Sequence, residues 1–281
     1  MFKDNFCHDS TERGSYFFID ALVKSCYAIA HERKNMKNVG IVGCGVIGAA
    51  LKKWLEENTD HKIFVRDPYK GYNDDLSSCD VFFVQIHIPT EDDGHQDLTI
   101  LEEIISTLPD KPIFVRTTIL PGTSEYLSKK FNRHVYFMPE FLTQRTSEDD
   151  FKTQPMVFSA EPALLSEIFP NKLHIVMSSL EAEITKYAHN VFGALKVTYF
   201  NAVADYCSRL GADFDHVQQG VLLSGYINEM HTKVPGPDGK FGYGGKCFPK
   251  DVNAWTEATK GYPIHDLLKP ISELNTIFRN K

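Results

Sequence analysis

The sequence of 281 residues lacks the patterns that mark several large classes of protein. No apolar run approaches the roughly 20 residues that a helix needs to span a bilayer. The first residues carry acids and no continuous apolar core, which argues against a secretory signal. The formal net charge is −7 and there is no long basic run, so binding of a nucleic-acid backbone is not expected. We therefore expect a cytoplasmic globular protein that needs neither membrane nor nucleic acid.

The cysteines and histidines also lack the spacing of a metal site. The six cysteines include no C-x-x-C pair, and no two of the eleven histidines form an H-x-x-x-H pair. Reduced thiols in the cytoplasm and no bound metal are the expectation. A Walker-type phosphate loop is excluded as well, because no lysine is preceded by G-x-x-x-x-G and followed by Ser or Thr. We find no internal repeat and no low-complexity segment.

A glycine-rich turn follows the first strong strand. The β-branched run Val39–Val42 leads directly into the G-x-G-x-x-G motif Gly43–Gly48, and a helical pattern continues over 49–58. In such a unit the first glycine makes the tight turn, the second lets a pyrophosphate approach, and the third packs the helix on the strand. The helix N-terminus then faces the anion. This unit predicts a dinucleotide site.

An acidic residue stands where such a unit holds the ribose. The second strand, over 62–65, is followed by Asp67, which lies 24 residues after Gly43. A carboxylate there accepts from both ribose hydroxyls and repels a 2′-phosphate, which favours NAD over NADP. Arg66 beside it weakens this preference.

Strand-like and helical runs alternate through the first half of the chain. Further strands are predicted over 81–86, 112–116, 135–137, 156–158 and 173–176, and helices over 98–108, 123–130 and 162–169. This alternation predicts a doubly wound, mainly parallel sheet, whose ligands bind beyond the carboxyl ends of the strands. The loops at Pro89–Thr90, 116–123 and 139–142 are therefore candidates for a site.

The second half of the chain has a helical texture. One helix is predicted over 180–210, helical stretches over 213–230, and two more helices over 252–260 and 265–278. The expected fold class is α/β, with an N-terminal Rossmann-type doubly wound sheet followed by an all-helical domain with a long central helix. The predicted parts are an extension over 1–35 with one amphipathic helix over 15–33, an NAD-binding domain over 36–178, and a helical domain over 179–281.

Two pairs of polar residues are spaced to share a helix face. Lys186 and Asn190 are four apart and could hold an oxyanion together, although a solvated lysine and an exposed amide are the plainer interpretation. Cys247 and Asp251 are four apart where a glycine-rich loop runs into a helix at Pro249. A thiol near a helix N-terminus, with a lysine close by, is expected to ionise more readily than a free cysteine. The alternative is that Cys247 is a buried filler.

Five motifs in this order carry a closer resemblance. They are Gly43–Gly48, Arg116–Thr118, Pro139–Leu142, Lys186–Asn190 and Gly242–Asp251. Together they closely resemble the UDP-glucose/GDP-mannose dehydrogenase family over about residues 38 to 280. The resemblance implies a nucleotide-sugar 6-dehydrogenase that oxidises UDP-glucose, or a related UDP- or GDP-sugar, twice to the carboxylate with two NAD. It also implies a homodimer formed through the long helix.

The resemblance implies a role for each catalytic residue. Cys247 attacks the intermediate aldehyde to give a thiohemiacetal, which is oxidised to a thioester, and Lys186 and Asn190 stabilise the oxyanion. Asp251 with a water takes the alcohol proton. Thr118 assists Asp251 in this step, and Glu140 helps to activate the water that hydrolyses the thioester. The implied catalytic residues are therefore Cys247, Lys186, Asn190, Asp251, Thr118 and Glu140.

The resemblance also implies the residues that contact the ligands. Those for the cofactor are Gly43, Cys44, Gly45, Val46, Ile47, Gly48, Asp67, Lys70, Pro89, Thr90, Thr118, Gln144 and Lys250. Those for the substrate are Glu140, Phe141, Leu142, Lys186, Asn190, His231, Lys233, Gly239, Phe241, Tyr243 and Gly244.

Three departures from the family pattern bear on the substrate. Gln144 stands where the family commonly has a glutamate, and His231 where an arginine is usual, with Lys233 as a possible substitute. The chain also ends at about the place where a further nucleotide-binding domain is expected. Weak nucleotide binding, a partner that supplies the domain, or a smaller substrate would each follow.

Two other functions stay open from the sequence. A two-electron hydroxyacid dehydrogenase also pairs a Rossmann domain with a helical domain near this length, and it would not need Cys247. The second is a non-catalytic or partner-dependent truncated relative of the family, since the sequence shows no match to the further nucleotide-binding domain.

Overall fold

The structure, a computed structural model, describes residues 36–91, 93–143, 145–160 and 162–281. The extension over 1–35 with its predicted helix, and Gln144 with its predicted cofactor contact, lie outside the described residues. Met36–Lys281 group into one compact unit. The predicted division of this unit between residues 178 and 179 stays a prediction.

A parallel-dominated sheet confirms the predicted α/β fold class. Within the described residues, six strands are ordered β3-β2-β1-β4-β5-β6, and only β3 runs antiparallel to its neighbour β2. The strands are β1 (Asn38–Val42), β2 (Lys62–Asp67), β3 (Tyr72–Asn73), β4 (Val81–Val84), β5 (Ile113–Val115) and β6 (Val135–Phe137). The chain runs outward from β1 to β2 and returns to β4 on the other side of β1. The carboxyl ends of β1 and β4 therefore flank the crevice in which such sheets bind ligands.

Both faces of the sheet are buried, as expected of a parallel sheet covered by helices. Val81 and Phe83 of β4 join one hydrophobic cluster and Phe82 and Val84 join the other. The same alternation puts Phe114 on the first face, while its neighbours in β5 lie on the second. These continuous apolar runs form strands because their two faces are filled by different layers of helices.

The last two predicted strands do not extend the six-stranded sheet, so the prediction of one continuous sheet is wrong. β7 (Met156–Phe158) and β8 (His174–Val176) form a separate two-stranded parallel sheet. The Ser159 hydroxyl occupies the edge of β6, where it accepts from the Phe137 backbone N–H at 2.7 Å and donates to the Phe137 carbonyl at 3.0 Å. A side chain thus replaces the ladder that would have joined β7 to β6.

Helices cover this sheet close to the predicted positions. They are α1 (Val46–Asn58), α2 (Thr99–Thr107), α3 (Thr123–Phe131), α4 (Ser147–Thr153) and α5 (Pro162–Ile168). Helix α1 begins three residues earlier than predicted, because the glycine-rich turn passes into it directly. Helix α4 was not predicted. Its first turn carries Glu148, Asp149 and Asp150, which favour a helix N-terminus.

The helical half is built around one long helix, as predicted. It contains α6 (Ser179–Leu210), α7 (Phe214–Leu222), α8 (Phe248–Ala258) and α9 (Pro263–Arg279). Ser178 and Glu181 form a reciprocal capping box at the start of α6. Gly211, in the left-handed region at φ 71°, ends it. No helix in the described part of the chain is long and apolar enough to cross a membrane.

The helical stretches predicted over 213–230 extend too far along the chain. Helix α7 starts as expected behind Asp213, whose carboxylate accepts from the Asp215 backbone N–H at 2.8 Å, but it ends at Leu222. Gly225 follows with a φ of 79°, which is incompatible with a right-handed helix. The apolar residues beyond Leu222 kept the helical spacing without the helix.

The glycine turn after β1 gives a matched pair of stability predictions. A Cβ at Gly48 would lie 2.2 Å from the Gly43 carbonyl oxygen, whereas a Cβ at Gly45 would meet nothing within 4 Å. We expect Gly48→Ala to lower the free energy of unfolding by about 3 kcal/mol, since backbone has to move. Gly45→Ala should change it by no more than about 0.5 kcal/mol. Urea unfolding measures both, and equal stability of the two variants would contradict this account of the turn.

Candidate active site

The turn between β1 and α1 has the geometry that its three glycines predict. Gly43 has a φ of 86°, and a Cβ on it would lie 2.5 Å from the Gln85 carbonyl oxygen, so only glycine fits. Gly48 lies directly over Gly43, as described above. Gly45 alone faces open space, where a ligand can approach the backbone. Val46 and Ile47 begin α1. No side chain caps the N-terminus of this helix, which starts at the glycine turn.

Asp67 and Lys70 are both tied to this turn through Cys44. Asp67 Oδ2 accepts from the Cys44 backbone N–H at 2.8 Å, and Lys70 Nζ donates to the Cys44 carbonyl at 2.7 Å. In the described part of the chain, no hydrogen bond reaches the other oxygen of this carboxylate. Burial raises the pKa of the Cys44 thiol, so this cysteine is a small neutral filler of the turn.

A buried polar chain that the sequence analysis missed joins this turn to the next loops. Gln85 follows β4 and donates from Nε2 to the Gly43 carbonyl at 3.1 Å, and its Oε1 faces Arg116 Nη1 at 3.4 Å. Arg116 is 1% exposed, and burial lowers its pKa to about 10 in spite of the nearby Glu140 charge. Polar residues immediately after buried strands were the available signal.

Lys186 is buried against Glu140, so the interpretation of Lys186 as a surface lysine is wrong. It is 3% exposed, and its Nζ lies 3.0 Å from Glu140 Oε1 and also donates to the Glu140 carbonyl. The Phe141 ring covers the ammonium at 5.4 Å, and the Leu142 backbone N–H donates to Glu140 Oε2 at 2.8 Å. Burial alone would raise the pKa of Glu140, but the Lys186 charge and these hydrogen bonds hold it below its ordinary value.

One turn further along α6, Asn190 reaches the start of α8. Its Nδ2 donates to Asp251 Oδ2 at 2.6 Å, and His189 Nδ1 lies 3.0 Å from its Oδ1. Asn190 is 6% exposed and Asp251 is 1% exposed. Lys250 forms an ion pair with the other Asp251 oxygen. The structure therefore brings together the two pairs that helical spacing had suggested separately.

Cys247 lies at the surface of this cluster, immediately before α8. It is exposed, and its carbonyl accepts from the Asp251 backbone N–H at 2.9 Å. Burial of the sulfur's surroundings and the Asp251 charge raise the pKa of the thiol, while Lys250 and Lys186 act to lower it. The prediction of a thiol that ionises more readily than a free cysteine is therefore wrong, because burial and the Asp251 carboxylate together outweigh the two lysines.

The loop before Cys247 is anchored to α6 and α9. The Phe248 ring packs on Gly193 of α6, where a Cβ would lie 2.7 Å from the ring. Asn275 of α9 accepts from the Tyr243 backbone N–H at 2.6 Å and donates to the Tyr243 carbonyl at 3.1 Å. Tyr243 is itself buried, and burial raises its pKa to about 12. Gly193, the one glycine inside α6, is thus explained by the ring that holds the cysteine loop.

Several residues predicted to contact the substrate lie on the outer part of this loop region. His231 has a φ of 67°, and its ring packs edge-on to Phe248 at 5.2 Å. Lys233 pairs instead with Glu229 at 2.9 Å, and both side chains are exposed. Gly239 and Phe241 are exposed, while a Cβ on Gly244 would lie 2.9 Å from the Arg279 guanidinium.

Thr118 reaches the cluster through other side chains. Among the described residues it forms no hydrogen bond with Asp251; its carbonyl accepts from Gln96 Nε2 at 3.2 Å, and the same amide donates to Tyr187 of α6. Pro89 and Thr90 precede Gln96 in the same loop, and Thr90 pairs with it in an antiparallel bridge. Gln96 was missed from the sequence because nothing in its spacing marks a residue that bridges three segments.

The fold is a Rossmann-type sheet followed by a helical part, and the cluster brings lysine, asparagine, aspartate and cysteine together. Residues 180–276 match the model of the UDP-glucose/GDP-mannose dehydrogenase family, central domain. This match agrees with the family resemblance, covers α6 to α9 almost entirely, and contains two of the five motifs, Lys186–Asn190 and Gly242–Asp251.

Relatives and solved structures extend the similarity into the sheet. The UDP-glucose 6-dehydrogenase of Rickettsia typhi is 28% identical over 227 residues, which are 73% of this chain and 51% of that protein. The UDP-glucose 6-dehydrogenase YwqF of Bacillus subtilis is 28% identical over 227 residues, with 73% and 50% covered. The chain thus spans about half the length of the curated relatives it matches.

The fold similarity is broader still. The structure of a UDP-glucose dehydrogenase from the hyperthermophilic archaeon Pyrobaculum islandicum matches with a TM-score of 0.77 at 22% identity, covering 89% of this chain and 70% of that chain. At this identity the likeness shows the fold.

The buried ion pair predicts a pH-dependent effect of Lys186→Met. Removing the ammonium leaves a buried carboxylate without its cation, so we expect the free energy of unfolding to fall by about 3 kcal/mol at pH 7. Because the folded pKa of Glu140 is lowered, the pair stabilises the protein above the ordinary pKa of about 4.3 and less as pH falls through the folded value. In the variant, burial raises the pKa of the unpaired Glu140, so its carboxyl takes up a proton as pH falls from 7. The difference between wild type and variant should therefore already be smaller at pH 5 than at pH 7, and should shrink further below about pH 4.3.

Urea unfolding at pH 7, 5 and 4 measures this. Lys129→Met is the matched control, because Lys129 pairs with Glu125 on the exposed face of α3. It should change stability little at any of these pH values. An effect of Lys186→Met that is constant with pH, or equal to that of the control, would count against a stabilising ion pair.

Proposed function

We propose that the chain is the catalytic part of an NAD-dependent nucleotide-sugar 6-dehydrogenase. The observation that carries the proposal is the convergence of α6 and α8, where Asn190 contacts Asp251 in the first turn of the helix that Cys247 precedes. Lys186 and Glu140 act on the same thiol electrostatically. The similarity to UDP-glucose 6-dehydrogenases supports UDP-glucose or a related sugar as the substrate.

The residues of the glycine turn fit a dinucleotide. Gly45 leaves open space at the N-terminus of α1. Gly43 and Gly48, where a Cβ would clash with backbone atoms, form the turn itself. Asp67 and Lys70 are held beside the turn by Cys44, with one Asp67 oxygen left for the ribose. NAD bound here would accept a hydride from the substrate carbon in each of the two oxidations.

The first oxidation removes a hydride and a proton from the sugar alcohol. Asp251 is the base we propose for this proton, through a water that Thr118 helps to hold. Lys250 and Asn190 both contact this carboxylate, so it is held in one orientation.

The second oxidation proceeds through the cysteine. The thiol adds to the aldehyde, its sulfur bonding to the carbonyl carbon and its proton ending on the oxygen, and loss of a second hydride and that proton gives a thioester. Lys186 and Asn190 are the donors we propose for the oxygen as charge develops on it. Glu140, already ionised beside Lys186, assists the water that cleaves the thioester and returns the thiol.

Turnover of a panel of UDP- and GDP-sugars tests the proposal. Wild type should release two NADH for each sugar oxidised, because the aldehyde is carried to the carboxylate. Cys247→Ala should lower the rate of carboxylate formation at least about 1,000-fold, since it removes the covalent step. Cys207→Ala, a buried cysteine of α6 outside the cluster, is the control and should keep the stoichiometry.

Other outcomes point to the remaining functions. One NADH per substrate with full activity in Cys247→Ala would indicate a two-electron dehydrogenase. Binding of NAD without turnover of any sugar would indicate a non-catalytic or partner-dependent relative.

An apolar stripe on α6 supports the proposed homodimer. Phe192, Tyr199 and Tyr206 are seven residues apart and are 65%, 59% and 63% exposed. Ala188 precedes them, and Leu195 and Ala202 fall between them, at the alternating spacing of four and three by which two helices pair. Large exposed side chains in such a row mark an interaction face rather than a solvated one.

Charge on this stripe should separate the chains. We expect Tyr199→Glu to convert a dimer into a monomer, because a carboxylate in a helix pair is buried without a partner. Light scattering coupled to size exclusion gives the mass. Tyr69→Glu, at a fully exposed tyrosine after β2, is the control and should leave the mass unchanged. A wild-type protein with the mass of one chain would contradict the dimer.

A further inference from the structure

We propose that Gln96 is a positioning residue, which places the loop carrying Thr118 against α6 beside Lys186. This inference rests on the proposed function where it concerns turnover. Gln96 lies between β4 and α2, outside every motif of the sequence, and its side chain is 4% exposed.

The Gln96 amide uses both ends to join three segments. Its Nε2 donates to the Thr118 carbonyl at 3.2 Å and to the Tyr187 hydroxyl at 3.1 Å, and its Oε1 accepts from the Leu120 backbone N–H at 2.9 Å. A backbone carbonyl requires a donor and a backbone N–H requires an acceptor, so only one orientation of the amide satisfies both. The side chain thus fixes the loop at two points and α6 at one.

Tyr187 is suited to be the fixed end of this connection. It is fully buried on α6, adjacent to Lys186, and stacks near Trp255 of α8 at 5.8 Å. Burial and then the Asp251 charge raise its pKa well above the ordinary value, so the hydroxyl stays neutral and can accept from Gln96. Through Gln96 and Tyr187, the loop that carries Thr118 is therefore held against α6 and α8, the two helices that carry Lys186 and Asp251.

A second buried contact keeps the fold of this loop independent of Gln96. Glu183, one turn before Lys186, accepts from the Gly122 N–H at 2.6 Å and the Ser124 N–H at 2.8 Å at the start of α3. It is fully buried, and burial raises its pKa. Because Glu183 holds the far end of the loop, loss of the Gln96 contacts should displace Thr118 without releasing α3.

Three variants separate the contacts. Gln96→Met keeps the length and removes all three hydrogen bonds, while Gln96→Glu keeps the acceptor for Leu120 and loses both donated bonds when ionised. Tyr187→Phe removes only the hydroxyl. Gln219→Met, at an exposed glutamine of α7, is the control. Thermal melting is recorded for each, so that kinetics are compared only among folded proteins.

We expect Gln96→Met to lower kcat about 30-fold with the KM for the sugar changed less than about threefold, because Thr118 is misplaced while the sugar's contacts remain. Tyr187→Phe should lower kcat less, and the double variant should be no worse than Gln96→Met. In Gln96→Glu, kcat relative to wild type should recover as pH falls. Burial favours the protonated carboxyl, which donates again.

Two results would overturn the inference. One is wild-type kcat in Gln96→Met; the other is a loss of activity that follows melting temperature alone, with no recovery of Gln96→Glu in acid. If wild type turns over no nucleotide sugar, the proposed function fails. The positioning role of Gln96 is then tested by the dissociation constant of NAD, measured by titration. Because Thr118 is also a predicted cofactor contact, Gln96→Met should then still raise the dissociation constant of NAD about fivefold, and an unchanged constant contradicts the inference.

Discussion

The burial of the Lys186 ammonium against Glu140 is the interaction on which the arrangement of the site depends. A buried cation is tolerated only with a paired charge and satisfied donors, so the loop after β6 has to meet α6 at this point. That meeting joins the sheet half to the helical half. On the next turn of α6, Asn190 reaches Asp251.

Other residues of α6 also contact distant loops. Glu183 accepts from the Gly122 N–H at the start of α3, and the Tyr187 hydroxyl accepts from the amide of Gln96. Gly193 leaves room for the Phe248 ring. The long helix thus serves as the reference for loops from both halves. Its buried face carries the candidate chemistry, and its exposed face carries the apolar stripe. This division of faces explains a helix that is polar in its interior contacts and aromatic on its surface.

Local patterns predicted the parts that depend on neighbours in sequence. The glycine turn, Asp67, the strands of the sheet and the ends of α6 follow from turn chemistry, apolar runs and caps. Two predictions of secondary structure and strand pairing failed, each for a local reason. The stretch after Leu222 kept helical spacing, but Gly225 stops the helix, and β7 is kept from the sheet by the Ser159 hydroxyl. The motif residues of the site came from resemblance, whereas Gln96 and Glu183 carry no local signal of their contacts.

The sequence by itself determined the α/β class, the glycine turn and the long helix, because these depend on short-range periodicity and on backbone freedom at glycine. Only the tertiary structure decided that Lys186 is buried and that Asn190 meets Asp251. It also showed that the Cys247 pKa is raised rather than lowered. The reason is that burial and charge pairing are set by residues distant in sequence, and a pKa follows the sum of all charges and the solvent around a group.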